Sequence, residues 1–117
     1  MATYTKRMLS GSTQGKCIKV AASSTPGTTV HTAVAGTSDL DEIWVYAVNT
    51  SSSDVLLTLE WGGTTSPDDT IEVLIPAEAG LVLVAPGLLL QNELVLRAFA
   101  GTADVLLVTG FVNRIAA

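Results

Sequence analysis

The stretch Val55-Leu56-Leu57-Thr58-Leu59-Glu60-Trp61 decides the fold class, because apolar and polar residues alternate along it. In an extended chain, one face carries Val55, Leu57, Leu59 and Trp61, and the opposite face carries Thr58 and Glu60. Thr70–Ile75 repeats the pattern, with Ile71, Val73 and Ile75 on its apolar face. A period of two residues is typical of a half-buried β-strand.

Turn residues divide the rest of the chain at intervals of mostly eight to fifteen residues, which is the spacing of a sandwich or barrel. The predicted strands are Cys17–Ala22, Thr28–Ala33, Glu42–Asn49, Val55–Trp61, Thr70–Ile75, Leu81–Val84, Leu94–Ala100 and Ala103–Arg114. We therefore expect an all-β protein, an antiparallel β-sandwich of about eight strands with almost no helix. The pattern leaves open a jelly-roll or an immunoglobulin-like strand order.

The charges divide the chain unevenly. The first nineteen residues contain four of the six basic residues and no acid, whereas the remainder contains all eleven acids and only two arginines. Residues 1–15 are also polar and rich in Gly, Ser and Thr. We predict an extended N-terminal arm over residues 1–15 and one β-sandwich domain over residues 16–117. A basic arm on an acidic body is typical of a part that docks onto another protein.

Composition argues against several partners. The net charge of −5 disfavours nucleic acid as the main partner. The longest apolar run, Gly80–Leu90, has eleven residues and contains Pro86 and Gly87, so it is too short to cross a bilayer. Because no apolar signal-peptide core follows Lys6 and Arg7, we expect synthesis in a cytoplasm.

Few residues suit catalysis or metal binding. His31 and Cys17 are the only residues of their types, and no Gly-x-Ser-x-Gly nucleophile elbow is present. We predict a structural or exposed strand position for His31 and a core position for Cys17. Trp44 and Trp61 are predicted to pack in the core, with Trp61 partly exposed beside a loop.

Two groups of carboxylates remain, Asp39-Leu40-Asp41-Glu42 and Pro67-Asp68-Asp69. A pair of acids from separate loops can serve a glycosidase or bind calcium. Neither group follows a calcium-loop pattern, and Asp at a loop end commonly accepts hydrogen bonds from backbone amides. We therefore predict turn positions, no cofactor, no metal and no enzymatic activity.

The chain resembles small virion proteins of tailed bacteriophages, in particular capsid decoration (cement) proteins. The resemblance rests on Leu57–Gly63, which leads into an Asp-rich loop, on Ile71–Pro76, and on Arg97–Ala103 before a last hydrophobic strand. It implies a β-sandwich body, often trimeric, on the outer surface of the capsid. It also implies an N-terminal arm that contacts the major capsid protein.

This resemblance leads us to expect a non-enzymatic virion protein that is made in the host cytoplasm and stabilises contacts between major capsid subunits. Its expected partners are the major capsid protein and further copies of itself, as a homotrimer. The predicted partner-binding residues are Lys6, Arg7, Met8, Leu9, Lys16 and Lys19. Two alternatives remain: a neck, tail or baseplate component, and a carbohydrate-binding capsid spike module.

Overall fold

The computed structural model describes residues 2–117, and in this range every regular element is a β-strand. The nine strands are β1 (Thr3–Met8), β2 (Ile18–Lys19), β3 (Thr28–Thr32), β4 (Leu40–Asn49), β5 (Val55–Trp61), β6 (Thr70–Ile75), β7 (Val82–Leu90), β8 (Val95–Ala100) and β9 (Leu106–Ala116). They form two antiparallel sheets that pack as a sandwich, which confirms the predicted fold class.

The strand order is that of a jelly roll. Sheet A has the order β1-β9-β4-β7 with β2 also paired to β9, and sheet B has the order β3-β8-β5-β6. The pairs β2 with β9, β3 with β8, β4 with β7 and β5 with β6 are nested around the β5–β6 loop. One long antiparallel ribbon, folded at that loop and rolled up, gives this nesting. The immunoglobulin-like alternative is thereby excluded.

The core lies between the two sheets and consists almost entirely of aliphatic side chains. The odd-numbered residues of β4 face inward, and Ile43, Val45 and Ala47 are completely buried. From sheet B, Leu57 and Leu59 of β5 are also completely buried. Each such side chain contributes about 1.5–3 kcal/mol by leaving water, so burial of the alternating faces is the main stabilising term.

Sheet A depends on a close approach between its two central strands. Gly110 of β9 pairs with Val45 of β4, and a Cβ atom at Gly110 would overlap the carbonyl oxygen of Trp44. Glycine is therefore required here for steric reasons.

Strand β7 continues through Pro86 and Gly87 to Leu90, beyond the predicted end at Val84. Proline is compatible with this position because β7 is an edge strand, where a missing amide need not interrupt a ladder.

Part of the predicted N-terminal arm belongs to the sandwich. Thr3–Met8 forms the edge strand β1, which pairs with Phe111–Ala116 of β9, and all six of its residues are exposed. Leu9, which follows, is only 2% exposed and lies in the core. Gly11 donates its backbone amide to the carbonyl of Val30 in sheet B. Met1, the first residue of the predicted arm, lies outside the described residues.

The predicted core position of Cys17 is wrong, because this side chain is exposed. The neighbouring positions explain the error: Ile18 and Val20 face inward, so Cys17 and Lys19 face outward. The sequence predicts the alternation of this segment correctly, but it predicts the wrong set of side chains to face the core. Pairing with β9 also covers only Ile18 and Lys19, rather than the whole predicted strand.

Candidate functional site

A concave surface lies beside β1, and we call it the N-terminal groove. Its volume is about 740 Å³. The lining residues are Lys6, Arg7, Met8, Leu9, Ser10, Ser12, His31, Phe111 and Arg114. Four of the six predicted partner-binding residues line it, namely Lys6, Arg7, Met8 and Leu9. The structure therefore brings most of the predicted site into one place, although the side chain of Leu9 is buried and serves the core of its own chain.

The ammonium group of Lys6 is held over an aromatic ring. Lys6 Nζ lies 4.7 Å from the centre of the Phe111 ring, a distance that allows a cation–π interaction. Phe111 in turn stacks on Trp44, with ring centres 5.9 Å apart and ring planes 9° from parallel. Lys6, Phe111 and Trp44 thus form a row from β1 across β9 to β4. The stacked aromatic pair holds the Lys6 ammonium group at the exposed edge of sheet A.

Beneath the groove lies a buried polar network that joins both sheets. His31 of β3 is 1% exposed, and its Nε2 lies 2.7 Å from Oδ2 of Asp41 in β4. Arg114 of β9 donates from Nε to Asp41 Oδ1 over 2.8 Å and from Nη2 to Oδ2 over 3.0 Å. The Val34 amide also donates to Asp41. A buried carboxylate with this many donors is well compensated for the loss of water.

The network also anchors the N-terminal segment. The backbone amide of Ser10 donates to Nδ1 of His31 over 2.9 Å, and the Ser10 hydroxyl accepts the amide of Thr32. Because Nδ1 accepts, the ring proton lies on Nε2 and is donated to Asp41. Both ring nitrogens are thus used within the chain. The structural position predicted for His31 is confirmed, with a buried rather than an exposed ring.

The network shifts the ionisation of its members. Burial raises the pKa of Asp41, but the hydrogen bonds from Arg114 and His31 and the positive charge of Arg114 outweigh it and hold the pKa below its usual 3.8. The hydrogen bond to Asp41 raises the pKa of Arg114 above its usual range. Both groups therefore stay ionised at neutral pH, and the guanidinium is fixed at the groove wall by a two-point contact.

The other basic residues of the N-terminal segment lie elsewhere. Lys16 and Lys19 are exposed and outside the groove lining. Lys6 pairs with Asn113 and Lys19 with Leu107, six residues apart on β9, which corresponds to about 20 Å along the strand. Within residues 2–117, Arg114 is the only Lys or Arg whose side chain forms an ion pair, and its partner is Asp41. Lys6, Arg7, Lys16 and Lys19 thus have no carboxylate partner in the described part of the chain.

The carboxylate groups separate into different roles. Asp69 accepts the amide of Thr65 in the β5–β6 loop, and Asp39 accepts the amide of Ala117, as predicted for turn positions. Asp41 is different, because it lies on the inner face of β4. Asp41 lies two residues before Ile43 and four before Val45, and this spacing indicates an inward position. Its partners were not predictable, because they depend on strand order.

The two tryptophans are both half-buried. Trp61 packs against the core and donates Nε1 to the carbonyl of Leu89 over 3.2 Å. Trp44 lies on the outer face of sheet A, so its predicted core position is wrong. One face of Trp44 is stacked on Phe111, and a Cβ at Gly87 would lie only 3.0 Å from the ring. Phe111 therefore occupies one face of the Trp44 ring, and neither tryptophan is fully exposed in the way that a sugar-stacking platform requires.

The described residues contain neither a cluster of metal ligands nor a helix that could span a membrane. Among residues 2–117, no three His, Cys, Asp or Glu side chains lie close enough to hold a metal ion together. The same residues include no helix with the length and apolar character needed to cross a membrane. Comparisons of the chain with protein-family models, with curated proteins and with solved structures found no match.

Proposed function

We propose that this chain is a non-enzymatic structural protein of a phage virion, a capsid decoration protein that binds the outer surface of the head. The observation that carries the proposal is the basic N-terminal edge. Four exposed cations lie along β1, the following loop and β2, without ion-pair partners in the described residues, on a chain of net charge −5. Such an edge suits attachment to an acidic protein surface.

The architecture supports the same proposal by analogy. Jelly rolls are common in viral capsid proteins and in lectins. An analogy of fold alone does not assign a function. The side chains favour the capsid alternative over the lectin, because both tryptophans are half-buried, Trp44 is stacked on Phe111 and Trp61 donates a hydrogen bond to the Leu89 carbonyl. The carbohydrate-binding spike is therefore the weaker candidate.

Contacts between copies are expected on the opposite side of sheet A. Four of the seven exposed leucines lie in or directly before β7, namely Leu81, Leu83, Leu88 and Leu89. Leu81 is 63% exposed, Leu83 44% and Leu89 51%, and the last two lie on the outer face of sheet A. Exposed apolar patches on small domains commonly mark protein interfaces. We assign this leucine patch to the contacts of a homotrimer and the basic edge to the major capsid protein.

The proposal is tested with phage heads that lack the protein. Wild-type protein should sediment with the heads, and the variant Lys6→Ser/Arg7→Ser/Lys16→Ser/Lys19→Ser should bind at least about tenfold more weakly, because it loses four charge-assisted contacts. The variant Glu72→Gln, on the opposite edge, serves as the control and should bind like wild type. Wild-type protein that sediments with tails but not with heads would place it in the neck, tail or baseplate instead.

A further inference from the structure

The N-terminal groove is lined by three cations and by the hydroxyl groups of Ser10 and Ser12, and these groups favour an anionic ligand. Arg114 uses Nε and one hydrogen of Nη2 for Asp41, so Nη1 and the second Nη2 hydrogen remain free to donate. Its side chain is 24% exposed at the groove wall. Lys6 is held over Phe111 on the outer face of sheet A, whereas Arg7, opposite the buried Val112, lies on the inner face with Arg114, so the three cations line the groove from both faces of the β1 edge.

Three cations and no carboxylate are among the residues that line the cavity, and Asp41, which binds Arg114 and His31, is completely buried. Donors fixed before binding lose little side-chain entropy when a ligand arrives. Planar guanidinium groups also match the geometry of a carboxylate and bind it through two parallel hydrogen bonds. The groove therefore fits carboxylate groups better than it fits an uncharged or basic ligand.

A second β1 strand does not fit this site. Pairing β1 of two copies would place Lys6 and Arg7 of both chains in one ladder, and lysine on an edge strand disfavours such pairing. The exposed edge is therefore protected against self-association and open to a partner of opposite charge. The apolar side chains of Met8 and Phe111 beside the cations give room for the aliphatic part of a glutamate side chain.

We propose that the N-terminal groove is a carboxylate-binding site that receives an extended acidic segment of the capsid protein. This inference rests on the proposed function for the identity of the partner. The chemistry rests only on Lys6, Arg7 and Arg114. It separates the groove from Lys19, because the backbone of Lys19 lies about 20 Å from that of Lys6, beyond the screening length of about 10 Å at 0.1 M salt.

The test uses a fluorescently labelled octaglutamate peptide and the full-length protein at 0.1 M salt. Lys6→Ser/Arg7→Ser should weaken peptide binding at least about tenfold. Lys19→Ser removes one charge outside the groove and should leave binding within about twofold, whereas the matched single variant Lys6→Ser should weaken it several-fold. Equal losses in the two single variants would overturn the inference, because they would show attraction to net charge without a site.

Nuclear magnetic resonance locates the bound peptide independently of affinity. Amide shifts on peptide addition should be confined to residues 6–12 and to the neighbourhoods of His31, Phe111 and Arg114. Shifts centred elsewhere, or an oligonucleotide of equal charge that binds as tightly at the groove, would overturn the assignment to carboxylates. A groove already occupied by acidic residues of a second copy, seen as self-association that the peptide disrupts, would overturn the capsid assignment.

The carboxylate site and the proposed function can each fail without the other, and the experiments distinguish the two failures. Heads that bind wild-type protein and Lys6→Ser/Arg7→Ser equally would refute the groove as the capsid contact, while leaving decoration of the head intact. A protein that binds octaglutamate at the groove but does not bind heads would refute the proposed function and retain the carboxylate site.

Discussion

Asp41 is the residue on which most of the buried polar structure depends. It is completely buried and accepts hydrogen bonds from β3, from β9 and from the Val34 amide. Removal of one partner from a buried ionic network leaves the others without compensation, which commonly costs about 3–5 kcal/mol. We predict that Asp41→Asn lowers the free energy of unfolding by about 3 kcal/mol at pH 7, measured by urea denaturation. Glu72→Gln, an exposed control, should change it by less than about 0.5 kcal/mol.

The same residue gives the stability a defined dependence on pH. The folded chain holds the pKa of Asp41 below its usual 3.8, so the unfolded chain takes up the proton first as the pH falls. The stabilisation is therefore complete well above pH 3.8 and is lost as the pH drops through the folded pKa. The difference between wild type and Asp41→Asn should narrow from pH 7 to pH 3. A constant difference would show that the charge of Asp41 is not the stabilising feature.

Cys17 offers a simple test of the corrected phase of β2. An exposed thiol reacts with a thiol reagent without prior unfolding, whereas a buried one does not. We predict that Ellman's reagent modifies the folded protein completely, and that Cys17→Ser changes the free energy of unfolding by less than about 0.5 kcal/mol. Protection of the thiol in the folded protein would restore the core position that the sequence suggested.

At the level of single elements, the N-terminal segment has two parts with different roles. Strand β1 is exposed on both faces, whereas Leu9 is buried and Ser10 bonds to His31. We predict that deletion of residues 2–7 leaves the sandwich folded. Deletion of residues 2–15 should destabilise it further by about 2–5 kcal/mol, the usual cost of removing a buried leucine. Urea denaturation of both truncations measures the difference, and equal stabilities would show that Leu9 contributes little.

Strands with an alternating apolar face can be predicted from the sequence, whereas a strand that is exposed on both faces cannot. The bounds of Val55–Trp61 and Thr70–Ile75 are those predicted, because each strand has one alternating apolar face. The predicted polar face of β5 is nevertheless buried at Thr58 and Glu60, where Glu60 accepts hydrogen bonds from Thr25 and Gly27. For Thr3–Met8 the sequence predicts an extended arm instead of a sheet strand, since a strand exposed on both faces carries no alternation. The network in which His31 and Arg114 both bind Asp41 joins positions up to 83 residues apart. It follows from strand order, which local patterns do not encode.

At the scale of the whole molecule, the nested strand pairs give the two lateral edges of sheet A different compositions. The edge at β1 carries Lys6 and Arg7, and the edge at β7 carries exposed leucines. One edge of the sheet is thus polar and basic, and the other is apolar. This division is what a decoration protein needs if it both binds a shell and associates with its own copies.

The exposed leucines at the β7 edge lead to a prediction about the oligomeric state of the protein in solution. Leu81 and Leu83 are two residues apart at β7, so they lie on the same side of the strand, and each gains about 1.5–3 kcal/mol when fully buried. We predict that wild-type protein is a trimer by light scattering during size exclusion, and that Leu81→Ser/Leu83→Ser is a folded monomer. Leu56→Ser/Leu74→Ser removes an exposed cross-strand pair from sheet B and should remain a trimer. A monomeric wild type would contradict the homotrimer and leave the basic edge as the main surface for assembly, whereas a monomer only in the second variant would move the interface to sheet B.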